Sequence, residues 1–130
     1  MTCQIVSAAS LPPPSPYFSH AVKAAGLVFV SGTAPYAPET GKLVGDTIQE
    51  QTAQALRNIS AILEAAGSSL DNAVSATVIL AEESDFAGMN EEWLRWFPVN
   101  PPARQGAKLP VRVPGLRVSI AMIAVQQQKD

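Results

Sequence analysis

The sequence predicts an α+β fold with elements in the order β-β-β-α-β-α-β-β, a mixed sheet carrying two helices on one face. Three observations carry this prediction. Residues 48–66 repeat apolar side chains at helical spacing. Residues 27–31, 73–80 and 117–125 are apolar and rich in β-branched side chains. Prolines and glycines cut the chain between these runs. A length of 130 residues fits one domain, 1–130.

In chain order, residues 4–8 predict a short strand. Four prolines within 11–16 exclude regular structure, because each fixes φ and removes a donor. That segment is a stiff, extended loop delivering Tyr17 and Phe18 to a set position. Residues 21–24 and 27–31 form two strands around a turn at Gly26, and 35–46 is turn chemistry. The first helix covers 48–66, opened by a capping box of Thr47 and Glu50 and closed by Gly67 at C′. Residues 73–80 form a strand. Ser84 or Asp85 caps a second helix that runs to Phe97, with Phe86, Met89, Asn90, Trp93 and Phe97 along one side. Pro98, Pro101 and Pro102 stop it. Strands follow at 103–109 and 117–125. In the last, Val118, Ile120, Met122 and Ala124 share one face, and Ser119, Ala121, Ile123 and Val125 share the other. Because 27–30 and 117–125 are apolar on both faces, both strands are expected to be covered on both sides. The sheet face without helices is small and apolar, which suits association of subunits.

Composition excludes several classes. Hydrophobic residues make up 47% and charged residues 15%, so the chain is not a disordered one. One cysteine, Cys3, and one histidine, His20, exclude an internal disulfide, a zinc site and any histidine pair. A net charge of −2 argues against generic nucleic-acid binding. No signal-peptide pattern and no membrane-length apolar run stands out, so the expected setting is soluble and cytoplasmic. Charge is distributed unevenly. Six cations (Arg95, Arg104, Lys108, Arg112, Arg117 and Lys129) fall in 94–129 with no Asp or Glu between them. A pocket built there would favour an anion; a solvated basic face is the other reading.

No dinucleotide or P-loop glycine pattern is present, and Ser31-Gly32 does not sit in a nucleophile elbow. Pro101-Pro102-Ala103-Arg104 is the most informative segment: two prolines fix the approach to a guanidinium whose fork matches a carboxylate. The alternative for Arg104 is a surface arginine. Tyr17 either covers a pocket or packs on the core. Ser31 and Ser119 are hydroxyls on apolar strands; each needs a partner if buried, either ligand or backbone. Trp93 and Trp96 read as helix packing.

Taken in order and spacing, a set of short pieces resembles the RidA/YjgF family of small trimeric imine deaminases. They are Ser15-Pro16-Tyr17, Val30-Ser31-Gly32-Thr33-Ala34-Pro35, Thr40-Gly41, Gln51-Thr52, Leu56-Arg57-Asn58-Ile59, Ala65-Ala66-Gly67-Ser68-Ser69-Leu70, Asp85-Phe86-Ala87, Met89-Asn90-Glu91, Pro102-Ala103-Arg104 and Ile123-Ala124-Val125. The resemblance implies a chorismate-mutase-like fold and a homotrimer whose sheets pack into a central barrel, with ligand sites between subunits. It implies hydrolysis of reactive 2-imino or enamine acids to 2-keto acids and ammonia without a cofactor or metal. Arg104 falls on the position that binds the substrate carboxylate, and Tyr17 on the aromatic that lines the pocket. Ser31, Gly32 and Asn90 fall on further pocket positions.

Two residues depart from the family pattern. Ser119 stands where family deaminases carry a glutamate thought to hold the attacking water, and Gly106 stands where a small thiol is common. The carboxylate clamp is therefore expected to remain without the water-orienting acid, leaving Ser119 as the candidate catalytic group beside Arg104 and Tyr17. The alternatives are a carboxylate-binding or chaperone-like trimer with little or no hydrolysis and, with less support in the sequence, a ribonuclease or translation inhibitor.

Overall fold

The structure is a computed structural model describing residues 2–110 and 113–127. Six strands form one sheet: β1 (Gln4–Val6), β2 (Ala21–Ala24), β3 (Leu27–Thr33), β4 (Ala73–Leu80), β5 (Ala103–Lys108) and β6 (Val118–Val125). Their order across the sheet is β1-β2-β3-β6-β4-β5. All pairings are antiparallel except β4 with β5. That parallel pair is joined by the crossover helix α2 (Phe86–Trp96), as a parallel connection requires. Helix α1 (Ile48–Ala65) packs beside it. The predicted element order therefore holds, with ends shifted by one or two residues.

The local causes are visible. The Thr47 hydroxyl accepts the Glu50 N–H at 3.1 Å, and the Glu50 carboxylate accepts the Thr47 N–H at 3.1 Å, completing the capping box. At the other end Gly67 takes φ +80°. The Ser68 N–H then reaches Leu63 O and the Gly67 N–H reaches Glu64 O, a Schellman closure that satisfies two orphan carbonyls. Between β2 and β3 the two turn residues Ala25 and Gly26 both have positive φ, 54° and 78°, the geometry whose twist matches a tight hairpin.

One face of the sheet is dry. Val28, Val30, Ala76, Val78, Ile120 and Met122 meet Leu56, Ile59, Ile62 and Leu63 of α1 in a single apolar cluster. Each such side chain contributes about 1.5–3 kcal/mol of burial. Within one chain β3 and β6 are covered on one side. Phe29 and Val125 on the opposite face are each 41% exposed, because both helices lie on one side of the sheet and none of the described residues covers the other. The cap predicted for the second helix is corrected. Asp85 occupies the N-cap position but makes no capping bond, since its carboxylate accepts from Arg117 instead. His20 is 6% exposed, its Nδ1 accepting the Ala8 N–H and its Nε2 donating to Pro12 O, so it pins the proline loop to β2. Among the described residues no helix is long and apolar enough to cross a membrane, and no cluster of metal-ligating side chains occurs.

Candidate active site

The predicted site residues fall into two groups on opposite sides of the sheet. The first lies at the β5 edge. The parallel register sets Arg104 beside Ala76 and Gly106 beside Val78. Ala76 and Val78 are buried under the helices, so Arg104 and Gly106 face the helix side too. The Arg104 guanidinium carbon lies 5.2 Å from the ring centroid of Trp93 and 5.8 Å from that of Phe86. Its Nη1 points at Met89 Sδ, 3.6 Å away. Rings and a thioether are weak partners for a cation. Among the described residues no carboxylate pairs with it. Partial burial alone lowers its pKa, and an arginine so placed remains charged at neutral pH. The group sits on a cavity of about 600 Å³ whose walls include Leu80, Phe86, Met89, Gly106 and Ala107.

The remaining cations of the C-terminal third divide by partner. Arg117 pairs with Asp85 at 3.2 Å and Arg95 with Glu92 at 3.9 Å. Arg112 and Lys129 lie outside the described residues. Arg104 and Lys108 thus supply the positive charge of this cavity, with Glu83 opposing it.

The second group lies on the open sheet face. A register shift between Val30 and Thr33 bulges β3 at Ser31 and Gly32. A Cβ on Gly32 would stand 3.2 Å from Ser119 Oγ, so the bulge backbone lies close to that hydroxyl and a larger residue there would crowd it. The Ser31 hydroxyl donates to Ser19 O at 2.6 Å, the backbone partner it needed. Ser31 and Gly32 also line a cavity of about 270 Å³ with Ser15, Phe18 and His20.

Tyr17 sits beyond the proline loop and is 92% exposed. Among the described residues of one chain it lines neither of these two cavities and does not pack on the core. Asn90 is half-buried on α2, on the side that carries Phe86 and Trp93. The fold therefore joins Ser31, Gly32 and Ser119 in one place and Arg104 with the Asn90 face of α2 in another. It does not bring Arg104 and Tyr17 to a common cavity among the described residues.

Sequence reasoning missed two features. Trp93 was expected as helix packing, with Phe86 and Met89 on the same side of the helix, but the three also hold the guanidinium; the signal was their shared helix face, and the missing datum was the register of β5. Gln51 carried no predicted role. It is 2% exposed, donates to Gly45 O at 3.1 Å and Gly115 O at 2.7 Å, and accepts the Arg117 N–H at 2.9 Å. Its only traces were the Gln51-Thr52 piece of the family resemblance and an amide at a helix start near a glycine-bearing loop.

Comparison with known proteins identifies relatives over nearly the whole chain. The family model described as Endoribonuclease L-PSP matches residues 8–126. A RutC family protein of Pyrococcus horikoshii is 36% identical over 124 residues, 95% of this chain and 98% of that protein. The 2-iminobutanoate/2-iminopropanoate deaminase of Rattus norvegicus is 36% identical over 123 residues, 95% of this chain and 90% of that protein. Yeast Mmf1 superposes with a TM-score of 0.90 at 34% identity, covering 97% of this chain and 100% of that chain. E. coli TdcF, solved with bound serine, superposes with a TM-score of 0.85 at 30% identity, covering 95% and 99%. Sequence and fold match together over nearly the whole chain, and on that ground the protein belongs to the RidA/YjgF family, whose model carries the endoribonuclease L-PSP description.

Proposed function

We propose that this chain is a RidA-type hydrolase that converts reactive 2-imino or enamine acids to 2-keto acids and ammonia. The observation that carries the reading is Arg104: a partly buried guanidinium laid on two rings at a cavity mouth, with no carboxylate of its own among the described residues. Such a group binds a ligand carboxylate in a bidentate fork. The rat relative's name supplies the chemistry, and the serine held by TdcF is a small carboxylate of similar size.

The active unit in this reading is a homotrimer of chorismate-mutase-like, RidA-like domains spanning 1–130, with the open sheet faces forming a central barrel. The half-exposed Phe29 and Val125 support it, since an apolar face of this kind calls for a partner. Sites between subunits then unite the Arg104 group of one chain with the Ser31, Gly32, Ser119 and Tyr17 group of the next. Arg104 holds the carboxylate, Asn90 and the Gly32 backbone orient the imine, and Tyr17 closes the site. The Ser31 hydroxyl, its proton committed to Ser19 O, presents only acceptor lone pairs. Ser119 orients the water. Water adds to the imine carbon and one of its protons passes to nitrogen; the hydroxyl proton of the resulting carbinolamine follows to nitrogen as the C–N bond breaks, releasing ammonia and the keto acid. No cofactor enters this balance. A hydroxyl in place of a carboxylate base sacrifices about 10²–10⁴ in rate, tolerable for an intrinsically facile hydrolysis.

The test is clearance of imino acids generated in situ by an amino-acid oxidase, followed as keto acid above the spontaneous rate. Acceleration by the wild type that Arg104→Ala abolishes is expected. No acceleration would favour the second reading, a carboxylate-binding trimer, which Ser119 in the glutamate's place recommends. Ribonuclease action has the least support: the one histidine is buried between Ala8 and Pro12 and has no second histidine to work with.

A further inference from the structure

The cavity beside Arg104 is walled mainly by apolar side chains. Within one chain it measures about 600 Å³, and in the trimer proposed above the neighbouring subunit closes part of it. Among the described residues the ionic groups on its lining are Arg104, Lys108 and Glu83, the last two of opposite sign. Beside these and Gln105 the wall is mostly carbon and sulfur, chiefly Leu80, Phe86, Met89 and Ala107. Phe86 is 52% exposed, an aromatic left half-wet beside the guanidinium. Gly106, two residues along β5 from Arg104 and on the same side, adds no side chain to the lining. A Cβ there would lie 3.3 Å from Val78 O and would take up part of that space. A carboxylate fixed on Arg104 therefore directs the ligand's carbon chain along an apolar wall with room for a branched or aromatic group.

We infer that this site takes 2-imino and 2-oxo acids with bulky apolar side chains, and that the missing side chain at Gly106 sets the preference. The inference rests on the proposed carboxylate role of Arg104 but does not require hydrolysis. Each methylene buried on the wall strengthens binding about fourfold, so a six-carbon branched acid should exceed a three-carbon one by at least about tenfold.

The experiment has two arms on the full-length protein. In the first, kcat/KM is measured for imino acids generated from alanine, leucine and phenylalanine. In the second, calorimetry measures binding of pyruvate, 4-methyl-2-oxopentanoate and phenylpyruvate. Both arms are repeated with Gly106→Val and, in case that variant does not fold, with Gly106→Ala. The expected result is a bulky-to-small ratio of about ten or more in the wild type, reduced at least fivefold by Gly106→Val and in the same direction by Gly106→Ala. A ratio near one, a preference for the small acid, or a ratio unchanged in both variants overturns the inference. Hydrolysis of none of the imino acids together with tighter binding of the bulky oxo acids removes the deaminase reading and leaves the preference standing.

Discussion

The Arg117 guanidinium reaches both oxygens of the Asp85 carboxylate, at 3.2 and 3.3 Å, and ties the start of β6 to the start of α2. Phe86, next to Asp85, lies against Arg104; Ser119, two residues after Arg117, faces Gly32. One ion pair thus links the two groups of site residues within the chain.

Asp85 is nearly buried and Arg117 is 43% exposed in its side chain, so solvent screens part of this pair. Asp85→Ala is expected to destabilise the fold by about 1–2 kcal/mol, and a double-mutant cycle with Arg117→Ala to show coupling near 1 kcal/mol. Urea denaturation measures both. Additive single effects would mean the pair holds nothing.

Gln51→Leu should cost more. It removes one buried amide that serves two loop carbonyls and one N–H in partly buried surroundings. An expected loss of about 2–4 kcal/mol follows from leaving them unpaired. Thermal denaturation followed by circular dichroism would register it; a loss under 1 kcal/mol means the loops find other partners.

Gly88 marks where α2 approaches α1. A Cβ there would stand 2.6 Å from Ile48 Cγ2 and 2.9 Å from Gln49 Nε2. Gly88→Ala gains about 1 kcal/mol of helix propensity but forces the helices apart, and overpacking of this kind costs about 1–3 kcal/mol. A lowered Tm is expected, whereas a raised one would show that the crossing relaxes freely.

Ser119→Glu restores a carboxylate beside the Gly32 bulge. If Ser119 only orients water, the variant should hydrolyse imino acids about 10²-fold faster. An unchanged or lower rate would mean that the hydroxyl belongs to a route of its own, or that the site binds without hydrolysing.

Glu50 predicts a pH dependence. Bonds from the Thr47 hydroxyl, the Thr47 N–H and the Asp46 N–H hold its carboxyl below the ordinary value of 4.5. A depressed folded-state pKa gives stability that is present above the unfolded value and lost as pH falls through the folded one. The stability difference between wild type and Glu50→Gln should therefore shrink as pH drops below about 4.5; a difference constant from pH 7 to pH 3 would contradict the cap's charged form.

Much of this protein was determined by local sequence. The helix over Ile48–Ala65 starts at Thr47 and ends at Gly67 because cap residues satisfy orphan backbone groups within one turn, which needs no tertiary knowledge. The alternation of Val118, Ile120 and Met122 put them on one face of β6 for the same reason, since period two is a property of the strand itself; that the helices cover this face was a tertiary outcome. The residue types at Arg104, Ser31 and Ser119 were equally legible, as was the family. The tertiary structure alone decided which of them meet. Arg104 lies on Phe86 and Trp93 because a parallel register pairs it with Ala76, and registers across 28 residues of chain are set by packing of the whole sheet. The β3 bulge brought Gly32 to Ser119, and long-range bonds turned Gln51 and Asp85 from a helix residue and a cap into braces between loops. Such contacts depend on where a strand edge or a carbonyl arrives in space, and no local spacing encodes that.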